Sequence, residues 1–167
     1  IRNFEIEGVS IGDSLLDFFN EKDIQSSKQY LYNSKKIASF YAPKNFSDQY
    51  EWVVFNFFDK DKSYTLESIE GHIDYPTNIE DCYDVKNKIA EELDTIFFNV
   101  EKDIYKGKHN ADVSGESTVE AIQFYFKDKS EVRVACMDFS KNVSFTDYLM
   151  VAINSKKFMK FLREDAW

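Results

Sequence analysis

The sequence predicts an α+β domain in which a mainly antiparallel sheet of about six strands carries helices on one face. Apolar and polar residues alternate over several segments of strand length. Short polar turns separate neighbouring segments, as consecutive antiparallel strands require. One long segment with helical periodicity stands between two groups of strands. The chain has 167 residues, which fits a single domain over residues 1–167.

The first half of the chain predicts one short helix and three strands. Asp13 or Ser14 can cap a helix whose apolar face is supplied by residues 15–19. Residues 20–34 are polar and predict a loop. Segments rich in aromatic and β-branched residues, or alternating in polarity, predict strands at 37–41, 50–58 and 63–75.

The second half predicts a long helix, three further strands and a final helix. Asn78 is a good N-cap for a helix over residues 78–98. Residues 99–117 are polar and contain two glycines, which predicts a long loop. Ser155 can begin a last helix over residues 155–165. The apolar stripe of the long helix is expected at Cys82, Val85, Ile89, Leu93 and Ile96. The strands are expected at 118–126, 131–139 and 148–154.

The order of these elements indicates an internal repeat of an α-β-β-β unit. A helix followed by three strands occurs over residues 9–75 and again over residues 78–154. A polar hairpin turn takes a corresponding place in each unit, at 59–63 and at 127–130. An unrepeated α+β sheet is the alternative.

Composition argues against two classes of function and favours a third. The formal net charge is −9, so the phosphate backbone of a nucleic acid would be repelled. No apolar run approaches the roughly 20 residues of a transmembrane helix, so no transmembrane segment is expected. Aromatic residues make up 17% of the chain, more than a small core hides easily, and we expect some of them at a groove or interface. The candidates are Tyr30, Tyr32, Tyr41 and Trp167.

Four segments resemble a family of uncharacterised exported proteins from marine bacteria. They are FEIEGVSIGDSLLDFF at 4–19, IEGHIDY at 69–75, DCY at 81–83 and ACMDF at 135–139. In that family the first segment follows a secretion leader, so the resemblance implies an exported protein. The chain begins at Ile1 rather than Met, which removal of a leader peptide or an artificial chain boundary would explain. More distantly, the pattern of helix starts and three-stranded meanders is similar to β-lactamase-inhibitor-like and outer-membrane-assembly-lipoprotein-like folds, a similarity that implies no functional residues.

The block GDSL at residues 12–15 matches the name-giving motif of the GDSL-type esterases. In that family the serine is the nucleophile, which makes Ser14 the candidate catalytic residue. A serine nucleophile needs a base, and the family supplies it from an Asp-x-x-His motif near the C-terminus. His72 and His109 are the histidines of this chain, and neither has an aspartate three residues before it. The simpler hypothesis is that Ser14 or Asp13 caps a helix.

Two acidic patterns are candidate metal sites. Residues 59–70 place oxygen-bearing side chains at the spacing of an EF-hand loop, with Asp59, Asp61 and Glu70 among them. Position 64 is a tyrosine where that loop needs glycine, and its flanks predict strands, so a hairpin turn explains the same residues. On the third strand, Glu70, His72 and Asp74 share one face and could hold a divalent metal. A solvated strand face gives the same pattern, and we expect no metal and no cofactor.

Cys82 and Cys136 are both expected on apolar faces, one on the long helix and one on a strand. If the helix stripe packs on that strand face, the two cysteines are neighbours with Cα atoms roughly 5–6 Å apart. In an oxidising compartment they would form a disulfide, and in a reducing one they would be two buried thiols.

These observations favour a non-enzymatic binding module over an enzyme. The sequence lacks a complete nucleophile and base set, a glycine-rich phosphate loop and a Cys/His metal framework. We expect a protein or small-molecule partner bound by a sheet face or by residues 99–117. The expected location is periplasmic or secreted, with the cytoplasm as the alternative. An esterase using Ser14 and a metal-stabilised structural domain are the competing functions.

Overall fold

The computed structural model describes residues 4–110 and 112–166, which fold into an α+β structure with nine strands and three α-helices. The predicted class and the antiparallel sheet are confirmed. The strands are β1 (Glu5–Ile6), β2 (Val9–Ser10), β3 (Ile37–Tyr41), β4 (Trp52–Phe58), β5 (Leu66–Asp74), β6 (Glu101–Lys108), β7 (Thr118–Tyr125), β8 (Glu131–Asp138) and β9 (Tyr148–Asn154). The helices are α1 (Glu21–Ser27), α2 (Ile79–Ile96) and α3 (Lys156–Glu164), and a 3-10 turn spans Leu15–Asp17.

Seven strands form one antiparallel sheet in the order β3-β4-β5-β9-β8-β7-β6. Each half of the sheet is a meander of consecutive strands, and the halves meet where β5 pairs with β9. β1 and β2 form a separate two-stranded hairpin. The predicted repeat stays a prediction; three strands of the seven-stranded sheet follow α1, whereas four follow α2.

The additional strand, β6, corrects the prediction of a loop over 99–117, and it is the seventh strand of a sheet expected to have about six. β6 pairs along its whole length with β7 and forms one edge of the sheet. Seven of its eight residues are exposed, so the segment lacks the apolar alternation that identifies a half-buried strand. The loop between β6 and β7 is shorter than predicted, and its described residues are 109–110 and 112–117.

The core lies between α2 and one face of the sheet, which we call the helix face. Val53, Phe55, Ile69, Val134 and Val151 are among its buried residues. The predicted cysteine pair is present, because a disulfide joins Cys82 of α2 to Cys136 of β8 with Cα atoms 6.1 Å apart.

The buried stripe of α2 differs from the predicted one. Cys82 and Leu93 are buried as expected, but Lys86 and Ala90 complete the stripe, whereas Ile96 is 58% exposed. The apolar pattern missed Lys86 because it carries a charge and missed Ala90 because it is small. Burial of Lys86 is possible because its Nζ lies 3.2 Å from Glu120 Oε2.

α1 adds only Ile24 to this core, and α3 packs on the opposite side of the sheet. Residues 20–34, predicted as loop, contain α1, which Asn20 caps and which buries a single side chain, Ile24. One apolar anchor is too few to show helical periodicity. α3 begins after Ser155 as predicted. Its Phe158 and Phe161 pack with Ile37 over one end of the opposite sheet face.

Candidate functional site

The sheet face opposite α2, which we call the open face, collects polar and aromatic side chains. Because side chains alternate along a strand, Glu70 and His72 point away from the buried Ile69, as predicted. The register then brings side chains of the neighbouring strands beside them. The open face carries Tyr41, Trp52, Glu70, His72, Arg133, Tyr148, Met150 and Ala152.

One row across the open face places a small residue between two charged ones. Glu70 of β5 pairs with Ala152 of β9, and Ala152 pairs with Arg133 of β8. Neighbouring strands are about 4.8 Å apart, so Glu70 and Arg133 begin about 10 Å apart on either side of Ala152. The methyl group of Ala152 leaves the space between them unfilled.

A cavity of about 420 Å³ lies above this row, and we call it the α3-side cavity. Its volume is within the range of ordinary small-molecule sites. α3 contributes Phe158 and the segment before β3 contributes Tyr32 to its walls. The residues most relevant to binding are Tyr32, Glu70, Arg133, Tyr148, Ala152 and Phe158.

Glu70 is held in place by a hydrogen-bond network from the neighbouring strands β4 and β3. The Nδ2 of Asn56 donates to Glu70 Oε1 at 2.9 Å, and the hydroxyl of Ser39 donates to Asn56 Oδ1 at 2.6 Å. The ring nitrogen Nε2 of His72 lies 3.2 Å from Glu70 Oε2. These contacts fix the carboxylate at the cavity wall, where its side chain is 16% exposed.

His72 belongs to an aromatic cluster on the same face. Its ring stacks on Trp52 with centroids 3.8 Å apart, and the Tyr148 ring is 5.0 Å away. The other face of Trp52 is covered by Tyr41, at 5.9 Å. When Nε2 donates to Glu70, Nδ1 of His72 is left as a buried acceptor, and it has no hydrogen-bond partner among the described residues.

Arg133 is anchored by a buried acid on its own strand. Its Nε lies 2.6 Å from Glu131 Oε1, and the Glu131 side chain is fully buried. Gln123 donates to the same oxygen at 3.1 Å. The contact with Glu131 uses one of the five N–H groups of the guanidinium. The Arg133 side chain is 27% exposed and lines the cavity.

Three tyrosines around Glu70 remain protonated at ordinary pH. Burial, followed by the negative charge of Glu70, raises the pKa of Tyr32, of Tyr41 and of Tyr148. The positive charge of Arg133 partly opposes the shift in the pKa of Tyr32, which places the Tyr32 hydroxyl within electrostatic reach of both charged walls. All three are therefore neutral hydroxyls and aromatic surfaces rather than phenolates.

A second cavity of about 350 Å³ adjoins the first and shares Arg133 and His109 with it. We call it the loop-side cavity. Burial lowers the pKa of His109, which favours the neutral imidazole. Asp112 shapes the adjoining loop by accepting hydrogen bonds from the hydroxyl and the backbone N–H of both Ser114 and Ser117.

Ser14 lies in a capping position rather than beside a histidine. Its hydroxyl accepts from the backbone N–H of Leu16 at 3.2 Å and donates to the Ser63 carbonyl at 2.7 Å. The predicted cap is confirmed, although the helix is only the 3-10 turn Leu15–Asp17. Asp13 accepts from Ser10 instead.

Of the candidate metal residues, Glu70 and His72 are in contact, whereas Asp59, Asp61 and Asp74 bond to other groups. Asp74 Oδ1 accepts from the Trp52 indole at 3.3 Å, away from Glu70 and His72. Asp61 caps the turn between β4 and β5, and Asp59 pairs with Lys28. Among the described residues, no three His, Cys, Asp or Glu side chains are placed to hold a metal ion.

The flanks of the EF-like segment are strands, so this segment is a hairpin turn. Tyr64 nevertheless adopts the left-handed backbone (φ 50°) that glycine takes at that position of a calcium loop. Its ring is buried, and its hydroxyl donates to Glu21 at 2.7 Å, contacts that fix this unusual conformation.

The predicted interface aromatics separate into distinct groups. The side chains of Tyr32 and Tyr41 lie on the open face, whereas the Tyr30 hydroxyl donates to Asp59 at the surface. Trp167 lies outside the described residues. Arg133 and Ala152 were missed; the sequence signal for Arg133 is one charged residue within the apolar strand Glu131–Asp138.

No protein-family model, curated protein or solved structure matches the chain. α2 is the longest of the described helices, and neither it nor the others combine the length and apolar character needed for crossing a bilayer.

Proposed function

We propose that this protein is a non-enzymatic binding module that takes a small ligand into the α3-side cavity of the open face. One observation carries the proposal. The cavity has apolar and aromatic walls and two oppositely charged side chains, Glu70 and Arg133, each held in place by buried partners. A few fixed polar groups in an otherwise apolar pocket are typical of ligand sites.

The bonding of the reactive side chains supports binding rather than catalysis. The Ser14 hydroxyl bonds to backbone groups, and the Nε2 of His72 contacts Glu70. A hydrolase built on Ser14 would instead need a base within reach of that hydroxyl.

We also propose that the protein works in an oxidising compartment, the periplasm or the extracellular space. The disulfide between Cys82 and Cys136 supports this location, because such bonds persist mainly outside the cytoplasm.

Thermal unfolding in the presence of a ligand panel tests the binding function. The panel consists of free amino acids, short peptides, monosaccharides and nucleotides, and a bound compound raises the melting temperature by mass action. We expect one class to stabilise the protein and Ala152→Leu, which fills the space between Glu70 and Arg133, to abolish the effect.

The matched control is Ala121→Leu, which adds the same volume in the loop-side cavity. It should keep the response to the stabilising class. Equal responses from both variants would refute the α3-side cavity as the site. Chemical conversion of the stabilising compound by the protein would refute a non-enzymatic function.

A further inference from the structure

We infer that the α3-side cavity binds a free α-amino acid with an apolar or aromatic side chain, its ammonium at Glu70 and its carboxylate at Arg133. This inference rests on the proposed binding function and names its ligand class. Both charged residues line the same cavity, one strand to either side of Ala152. Among the described residues they are not within ion-pair distance of each other, and each keeps capacity for a further bond.

The Glu70 end suits an ammonium group. A carboxylate offers about four lone-pair directions, and Asn56 and His72 are its closest hydrogen-bond partners. The ring of Tyr148 also lines the cavity and can add cation–π attraction. With a formal net charge of −9, the chain as a whole also favours a cationic group over an anionic one at this end.

The Arg133 end suits a carboxylate. Glu131 holds the Nε of the guanidinium, so the planar fork is oriented before a ligand arrives. The terminal amino groups of an arginine can then bind a carboxylate through two parallel hydrogen bonds.

The spacing of the strands leaves room for the backbone of one amino acid between Glu70 and Arg133. The backbones at Glu70 and Arg133 are about 10 Å apart, two strand spacings. The amino nitrogen and carboxyl carbon of an α-amino acid are about 2.5 Å apart. With a hydrogen bond of about 2.9 Å at each end, the ligand backbone bridges the space over Ala152.

The rest of the cavity fits the side chain of such a ligand. Met150, Phe158 and Leu162 supply an apolar wall beside the charged row. A volume of about 420 Å³ accommodates one large amino acid. Tyr32 packs edge-on against Phe158 and Phe161 and closes this end.

Isothermal calorimetry with L-phenylalanine and two of its derivatives tests the inference. L-phenylalaninamide keeps the ammonium and lacks the carboxylate. N-acetyl-L-phenylalanine keeps the carboxylate and lacks the ammonium. Each derivative should bind at least about tenfold more weakly than the free amino acid. Equal binding of either derivative, or no binding of L-phenylalanine, would overturn the inference.

Single substitutions assign the two ends. Glu70→Gln should weaken L-phenylalanine and its amide about tenfold or more and leave the N-acetyl derivative unchanged. Arg133→Met should weaken L-phenylalanine and the N-acetyl derivative and leave the amide unchanged. Because Arg133→Met leaves Glu131 buried without its partner, the double variant Glu131→Gln/Arg133→Met is measured in parallel. Uniform loss for all three ligands in every variant would contradict the assignment.

Exposed residues with the same charges serve as controls. Glu101→Gln on β6 and Arg163→Gln on α3 should bind L-phenylalanine as the wild type does. The inference and the proposed function can fail separately. If L-phenylalanine does not bind, but another panel compound binds and loses its binding in Ala152→Leu, only the ligand class is wrong. If nothing in the panel binds, the binding function fails as well.

Discussion

Glu70 and Arg133 lie on one row of the sheet, a single strand to either side of β9. The two residues are 63 positions apart in the sequence, and only the pairing of β5 and β8 with β9 brings them to one cavity. Ala152 stands between them, so the row forms a floor with a charged side chain at each end. A substitution of Ala152 is therefore expected to change the cavity without changing the surrounding fold.

Replacement of Ser14 by Ala should lower the free energy of unfolding by about 1 kcal/mol, the typical value of a helix cap. The hydroxyl also bonds to the Ser63 carbonyl and fastens the 3-10 turn to the β4–β5 turn. Urea denaturation measures the loss, and Ser63→Ala, which keeps that carbonyl, is the control. A serine-reactive phosphonate should not label Ser14. Labelling of Ser14 with turnover of a short-chain ester would support the esterase instead.

Loss of the disulfide should destabilise the protein by about 2–4 kcal/mol. Cys82 and Cys136 close a loop across a sequence separation of 54 residues, and the bond ties α2 to the sheet. The double variant Cys82→Ala/Cys136→Ala should therefore unfold at lower urea concentration. Mass spectrometry of the protein from its natural compartment should show alkylation only after reduction. Alkylation without reductant would contradict an oxidising location.

Lys86 and Lys106 bind the same carboxylate, that of Glu120, from different environments. Lys86 is buried on the sheet-facing side of α2, whereas Lys106 lies on the edge strand with its side chain 71% exposed. Lys86→Glu should cost about 3–5 kcal/mol, since it places an unpaired charge beside Glu120 in the core. Lys106→Glu is the matched control and should change stability little. Similar losses in both variants would show that α2 does not bury Lys86.

Asp112 should make stability depend on pH in the acid range. Hydrogen bonds from the hydroxyls of Ser117 and Ser114, and from their backbone N–H groups, hold the pKa of Asp112 well below its ordinary value. Its stabilisation is complete above the ordinary Asp pKa of about 4 and is lost as the pH falls toward the folded pKa. Asp112→Ala should therefore lower the free energy of unfolding at neutral pH. The difference in this free energy between the variant and the wild type should become smaller below about pH 4. Asp48→Ala, at an exposed position, should show no such trend.

Elements with one buried face could be predicted from the sequence. Apolar and polar residues alternate along β5, and β9 is strongly apolar. α2 has a clear N-cap at Asn78. The pairing of Cys82 with Cys136 followed from the expected helix–sheet packing. Elements without a buried face were missed: β6 is exposed along an edge, and α1 has one anchoring residue, Ile24.

The site could be predicted only in part. Alternation along β5 placed Glu70 and His72 on one face, but their partners come from other strands. The register of β8 against β9 determines that Arg133 faces the same cavity, and no local pattern specifies that register. A small residue such as Ala152 carries no sequence signal until the cavity above it is known.

Methionine methyl NMR tests the central claim, ligand binding in the α3-side cavity, most directly. Of the three methionines in the chain, Met150 lines this cavity, Met137 the loop-side cavity and Met159 a separate groove beside Arg163. During titration with L-phenylalanine and the other panel compounds, a binding compound should shift the Met150 methyl resonance saturably and leave that of Met159 in place. Saturable shifts confined to Met159, or no shift of Met150 with any compound, would contradict the claim.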